Sequence, residues 1–293
     1  MAPVPDRSLG LLYRVGWRIG PRIPAAVQRM IISAGAAVAV NRGGRYIRQF
    51  AENLRYATGK EPDRDLLRAG IASYLRNFLE VFALPGWSPA KIISRVTTTG
   101  EGDLRRAMAG EGAVIALPHS GNWDLAGAWA CVTGMPVTTV VEELPGPEFD
   151  AFRTFREGLG MQVLGHRDPA ALPELMTAAR HGRLVCLVAD RDLLGSGVPV
   201  TWNDRPVTMP AGPAVVARRT GAALFPMVSW FTPDGLHLDI GPRIPHRPGR
   251  DGLIAMVQDE ADYFAARVAE HPQDWHLMQP FFTRSAEPGE GAA

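Results

Sequence analysis

The chain has 293 residues, 46% hydrophobic and 21% charged, with 31 basic against 30 acidic side chains. That composition is globular, holds enough apolar material for one large α/β domain or two smaller ones, and excludes disorder over most of the length. Cys131 and Cys186 are too few for a disulfide scaffold or a zinc cluster, and both lie in apolar segments, which predicts buried thiols in a reducing compartment.

The net charge of +1 hides an asymmetry at the start of the chain. Residues 1–60 hold ten basic side chains and two acidic ones, a segment charge of +8 that leaves −7 on the remainder. Arg14, Arg18 and Arg22 repeat every four residues and share one stripe of a helix, beside an apolar face of Leu11, Leu12, Val15 and Ile19. With Tyr13 and Trp17 nearby, this suits an amphipathic helix lying in an anionic membrane interface, or packed on the domain with its arginines wet. Pro21 and Pro24 split the region into two helical pieces. The longest apolar run covers the eleven residues 30–40, whereas a spanning helix needs about 20. No basic start leads into an apolar stretch and a cleavage site, so a cytoplasmic location is expected.

Residues 62–84 have helical periodicity, ended by Pro85-Gly86. Strand-like runs then alternate with helical ones. Residues 112–118, 137–143, 162–165, 184–190, 222–230 and 236–240 read as strands, and residues 198–202 as a short extended piece. Residues 122–132, 149–159, 169–180, 210–220 and 251–270 read as helices. This order predicts an α/β fold: a central, mostly parallel sheet with helices on both faces. Residues 1–90 form a helical, membrane-associating layer of the same unit, residues 91–284 the α/β core, and residues 285–293 a flexible tail.

The most informative segment is HSGNWD at 119–124, which follows one strand and opens a helix. Ligands of parallel sheets bind beyond the carboxyl ends of strands, so His119 stands where a reactive group belongs. Asp124 falls in the first helical turn, where free N–H groups favour a carboxylate and from where it can reach the loop or the imidazole. Two more strands end in acids, at Glu142-Glu143 and at Asp190-Arg191-Asp192. Three strand ends thus deliver His, Glu and Asp to one sheet edge. A carboxylate beside a histidine makes a general base. No G-x-S-x-G elbow, P-loop or Rossmann fingerprint is present, which favours direct proton abstraction from a substrate hydroxyl. A metal held by His119, Glu142 and Asp190 is disfavoured for want of further carboxylates or a histidine pair. His166, His181, His237 and His246 read as surface groups, and the 271–276 segment, HPQDWH, as a cap on the site or a seal on the core.

HSGNWD matches an H-x-x-x-x-[DE] signature. TTVVE at 138–142, FRTFREGLGMQVL at 152–164, LVADRD at 187–192, MPAGP at 209–213 and HPQDWHLMQP at 271–280 follow in order. Together they resemble the bacterial lipid acyltransferases that include the lipid A lauroyl and myristoyl transferases, and within them the actinobacterial branch that acylates phosphatidylinositol mannosides. The likeness covers about residues 8–283. It implies a glycerolipid-acyltransferase-like fold and transfer of a long acyl chain from acyl-CoA, a co-substrate, to a mannose hydroxyl, without a covalent acyl-enzyme or cofactor. The expected place is the cytoplasmic side of the cell membrane, bound peripherally to an anionic surface, with no nucleic-acid partner. By resemblance His119 is the general base, Asp190 orients it, and Asp124 holds its loop. Glu142 and Arg156 lie in the acceptor groove, Asn122 contributes to binding, and Arg191 meets a phosphate or pairs with Asp192. Backbone N–H groups at Gly121 and Asn122 are expected to steady the oxyanion. Asp190 departs from the branch, which has Glu there. Residues 201–204, TWND, replace an aromatic pair followed by Gly, which is expected to alter the acceptor pocket. A silent lipid-binding protein and a thioesterase are the competing functions.

Overall fold

The structure, a computed structural model, describes residue 16 and residues 18–143 and 147–282. A 3-10 turn at Gly20–Arg22 precedes α1 (Ala25–Arg42), α2 (Arg45–Thr58) and α3 (Arg64–Ala83). Then come α4 (Pro89–Ser94), β1 (Val96–Thr99), α5 (Glu101–Ala109), β2 (Ala113–Leu117) and α6 (Trp123–Val132). β3 (Val137–Val141), α7 (Pro147–Gly158), β4 (Gln162–Gly165), α8 (Ala171–Arg180) and β5 (Leu184–Val188) follow. A hairpin of β6 (Val198–Trp202) and β7 (Arg205–Met209) leads to α9 (Gly212–Thr220), β8 (Ala223–Phe231), β9 (Leu236–Ile240) and α10 (Gly249–Glu270). A 3-10 turn at Pro272–Asp274 opens the C-terminal segment.

Seven strands form the main sheet, in the order β1-β9-β8-β2-β5-β3-β4. The five strands from β8 to β4 are parallel. β9 runs antiparallel to β8 and parallel to β1, so the last two strands point the other way. The sheet is therefore mostly parallel, as the alternating elements imply. Strands β1 and β7 and helix α5 carry no strong sequence pattern and were not expected.

Alternation along β2 shows why the sheet is covered twice. Val114 and Ala116 join an apolar layer with α8, α9 and α10, while Ala113, Ile115 and Leu117 join one with α5 and α6. All five residues of β2 are buried, which a parallel sheet between helical layers requires.

The N-terminal helices add a third, smaller core of Ala36, Phe50, Leu54 and Ile71. Asn53, fully buried on α2, donates to the carbonyls of Leu277 and Gln279, each at 2.8 Å, and ties this layer to the C-terminal segment. Of the proposed interfacial helix, Arg14 and its apolar neighbours at 11–15 and Trp17 lie outside the described residues, as does the tail at 285–293. Arg18 and Ile19 are helical and Arg22 is in the 3-10 turn. No helix among the described residues is long and apolar enough to cross a membrane. Replacing Asn53 by Ala should leave the buried Leu277 carbonyl without this donor and destabilise the fold by about 1–3 kcal/mol, read by denaturant unfolding.

Candidate active site

The edge of the sheet assembles as its strand order dictates. β2, β5 and β3 are neighbours, and His119, Asp190 and Glu142 lie one or two residues past their carboxyl ends. Gly121 turns the chain back after His119 at φ +57°, where a Cβ would stand 2.7 Å from Ser229 Oγ. Asn122 then caps α6, its Oδ1 accepting from the Leu125 N–H at 2.9 Å.

Asp190 is fully buried and accepts three N–H groups. His119 Nδ1 reaches Oδ1 at 2.5 Å, the His119 backbone N–H reaches Oδ2 at 2.9 Å, and Trp275 Nε1 reaches Oδ2 at 3.0 Å. Burial pushes this carboxyl up, but the His119 charge and the three bonds outweigh burial, and its pKa lies below the ordinary value. With Asp190 ionised, Nδ1 carries the proton and Nε2 keeps its lone pair. The side chain that is one methylene shorter than in the resembling branch therefore still reaches the imidazole. The edge of Trp123 flanks the imidazole with ring centroids 5.4 Å apart.

The C-terminal segment straps this loop. Gly121 N–H donates to Asp274 O at 2.9 Å, and His276 N–H to His119 O at 2.7 Å. The Gly121 N–H is thereby consumed, which removes it from the expected oxyanion pair. Ser73 on α3 donates to Asp274 Oδ1, and its Oγ lies 2.8 Å from His276 Nε2. Trp275 is buried and stacked on Trp202, 5.3 Å between centroids. Trp202 belongs to the hairpin whose tip, Asn203-Asp204, takes positive φ at both residues. Trp202 thus packs behind the tryptophan that holds Asp190.

A cavity of about 810 Å³ opens at His119. It reaches along both faces of the sheet edge. One lobe is walled by Ile115, Leu117, Val137 and Leu184 with Trp129 and Met161; the other by Val140, Leu187, Leu172, Leu175 and Val215. At its mouth Arg156 holds Asp124 through Nε at 2.6 Å and a second nitrogen at 3.2 Å, in a pair that is almost wholly buried. Asp124 thus pairs with α7 and not with the imidazole. Arg191 pairs with Glu142 at 3.2 Å, half exposed, rather than with Asp192, whose carboxylate accepts from the Ser196 and Gly197 N–H groups. Asn122 is absent from the cavity wall: it is fully buried, and its Nδ2 donates to Glu80 Oε2 at 3.1 Å.

Further expectations need correction. His166 is buried against the Glu143 N–H, 2.9 Å from Nδ1, and lines the cavity, because the β3 and β4 ends converge there. Cys131 and Cys186 are half-buried and free, and Cys186 faces the cavity. Ser73, Asn77 and Glu80 form a buried polar stripe on α3, and Asp274 and His276 complete the strap. Their sequence signal was a polar residue every turn inside an otherwise apolar helix face.

Burial raises Asp274 to about 6, only partly countered by the Ser73 hydroxyl and the Phe231 N–H. Burial and then the His119 charge lower His276 to about 3. Their effects on stability oppose each other. The Asp274 contribution is present below 3.8 and lost as pH rises through about 6; that of His276 is present above 6.5 and lost as pH falls toward about 3. Removing the first in Asp274→Asn should make the melting temperature climb more steeply between pH 4 and 6.5 than in the wild type. An unchanged pH profile would refute a protonated Asp274.

With the geometry in place, comparison with known proteins is specific. The family model described as bacterial lipid A biosynthesis acyltransferase matches residues 3–284. The phosphatidylinositol mannoside acyltransferase of Mycolicibacterium smegmatis is 40% identical over 288 residues, covering 95% of this chain and 92% of the relative. Those of two Mycobacterium tuberculosis strains are 38% identical over 279 residues, covering 92% of this chain and 86% of each relative. The chain belongs to the bacterial lipid A biosynthesis acyltransferase family.

Proposed function

We propose that this acyltransferase moves a long acyl chain from acyl-CoA to a mannose hydroxyl of a phosphatidylinositol mannoside, with His119 as general base. The observation that carries the reading is the His119 Nδ1–Asp190 contact of 2.5 Å at the mouth of an apolar cavity. It leaves Nε2, which has no partner among the described residues, to take a proton. A thioester is already activated, so the remaining need is a better nucleophile, a task worth about 10²–10⁴-fold to a positioned base. Asp190 fixes the tautomer and stabilises the imidazolium. The acyl chain occupies the lobe beside Ile115 and Trp129, and Arg191 meets a phosphate of either substrate.

Direct transfer, without an acyl-enzyme, is supported by the nearby hydroxyl and thiol. Ser120 is 2% exposed, and its Oγ accepts from the Ser229 N–H, away from the ring. Burial pushes the Cys186 thiol far up, so its thiolate is scarce. Removing either partner of the Asp124–Arg156 pair would leave an unpaired buried charge at the cavity wall, which supports a structural part for both in the acceptor groove.

The membrane side is supported by α1, whose Val27, Met30, Ile31 and Val38 are exposed, Met30 at 65%. Arg29 is its only charge before Arg42. Leu193 and Leu194, at the cavity rim, are exposed as well. An apolar surface near basic residues such as Arg18 and Arg22 suits an anionic leaflet.

His119→Ala and Asp190→Asn should each lower acyl transfer by about 10²-fold or more while the protein stays folded. The measurement is thiol release from palmitoyl-CoA with and without the mannolipid. Near wild-type turnover by His119→Ala defeats the proposal, and thiol release that needs no acceptor identifies a thioesterase. Paired Met30→Asp and Leu194→Asp substitutions should weaken co-sedimentation with anionic vesicles, as should added salt. Binding indifferent to both would refute the membrane face.

A further inference from the structure

The wall of the cavity opposite the sheet holds a polar side chain that the protein does not use. Asn77 is 3% exposed and lines the same cavity as His119. Its Oδ1 is buried without a hydrogen-bond partner. Its neighbours on α3 place it. Ser73, about one turn earlier, touches His276, whose N–H holds the carbonyl of His119. Glu80, about one turn later, binds Asn122 at the other end of the same loop. Asn77 stands between these two anchors and faces the 119–122 loop.

Three nearby donors are committed elsewhere. The Gly121 N–H is held by Asp274 O, Arg156 by Asp124, and Arg191 by Glu142. A buried amide oxygen without a partner is unfavourable in a packed protein, and such groups persist where a ligand completes them.

We propose that Asn77 is a catalytic residue, its Nδ2–H meeting the thioester carbonyl oxygen as negative charge develops there. This rests on the acyl-transfer reading. The acceptor hydroxyl oxygen bonds to the carbonyl carbon and its proton passes to His119 Nε2. The carbonyl π pair moves onto oxygen, where the Asn77 amide donates to it. Collapse restores the C=O bond and breaks the C–S bond, and the leaving sulfur takes the proton back from His119. Of the groups near the amide, buried His276 is uncharged at neutral pH, and Glu80 is paired with Arg76 at 2.8 Å. A low-dielectric wall strengthens a hydrogen bond to an anion more than to the ground-state carbonyl.

The test is steady-state kinetics of the full chain with palmitoyl-CoA and a phosphatidylinositol mannoside, for wild type, Asn77→Ala and the isosteric Asn77→Asp. Both variants should lose about 10²–10³-fold in kcat, with KM for the thioester within about threefold of wild type and no fall in melting temperature. A folded Asn77→Ala or Asn77→Asp with near wild-type kcat overturns the inference alone, as does a loss confined to KM. Absence of transfer by the wild type overturns the acyl-transfer reading and the inference with it.

Discussion

A carboxylate buried to 0% exposure at the end of β5 is the constraint around which the site is arranged. An unpaired ion there would be costly by several kcal/mol, so Asp190 must be met by donors from its surroundings. It finds three N–H groups from two distant parts of the chain, two from His119 and one from Trp275. The same bonds that satisfy the acid orient the imidazole. Stability and chemistry are thus served by one arrangement, and neither can be altered alone.

That requirement spreads outward through Trp275. The indole is fixed by stacking on Trp202 and by the edges of Phe281 and Phe282. The residues beside it, Asp274 and His276, hold the backbone of the His119 loop and are held in turn by Ser73. The chain of contacts from α3 to the strap to the loop ties the N-terminal helices to the candidate site. They supply a wall of the cavity and a stripe of buried polar groups, besides any contact with lipid.

The cavity itself balances two needs. Its lobes are apolar, which suits hydrocarbon, and its mouth carries the Asp124–Arg156 and Glu142–Arg191 pairs. The first pair is almost wholly buried. The second is partly exposed, so its charges are screened by solvent.

Alternating strand and helix patterns, together with the HSGNWD segment, were enough to read a mostly parallel sheet with His119, Glu142 and Asp190 at one edge. Periodicity is local, and ligand-bearing strand ends follow from the handed, parallel topology. Family likeness was legible for the same reason, since its motifs are contiguous. Contacts between distant segments were not. Asn122 and Gly121 look like binding groups in sequence, yet capping and the strap consume them; Trp202 looks like a loop residue, yet it packs behind Trp275. Ser73, Asn77 and Glu80 gave only a faint polar rhythm within an apolar helix. The chain alone therefore determined the elements and the place of the His119 imidazole at the sheet edge, while tertiary structure decided which polar groups are spent inside the protein and which face the cavity, because hydrogen-bond partners far apart in sequence are chosen only when the core closes.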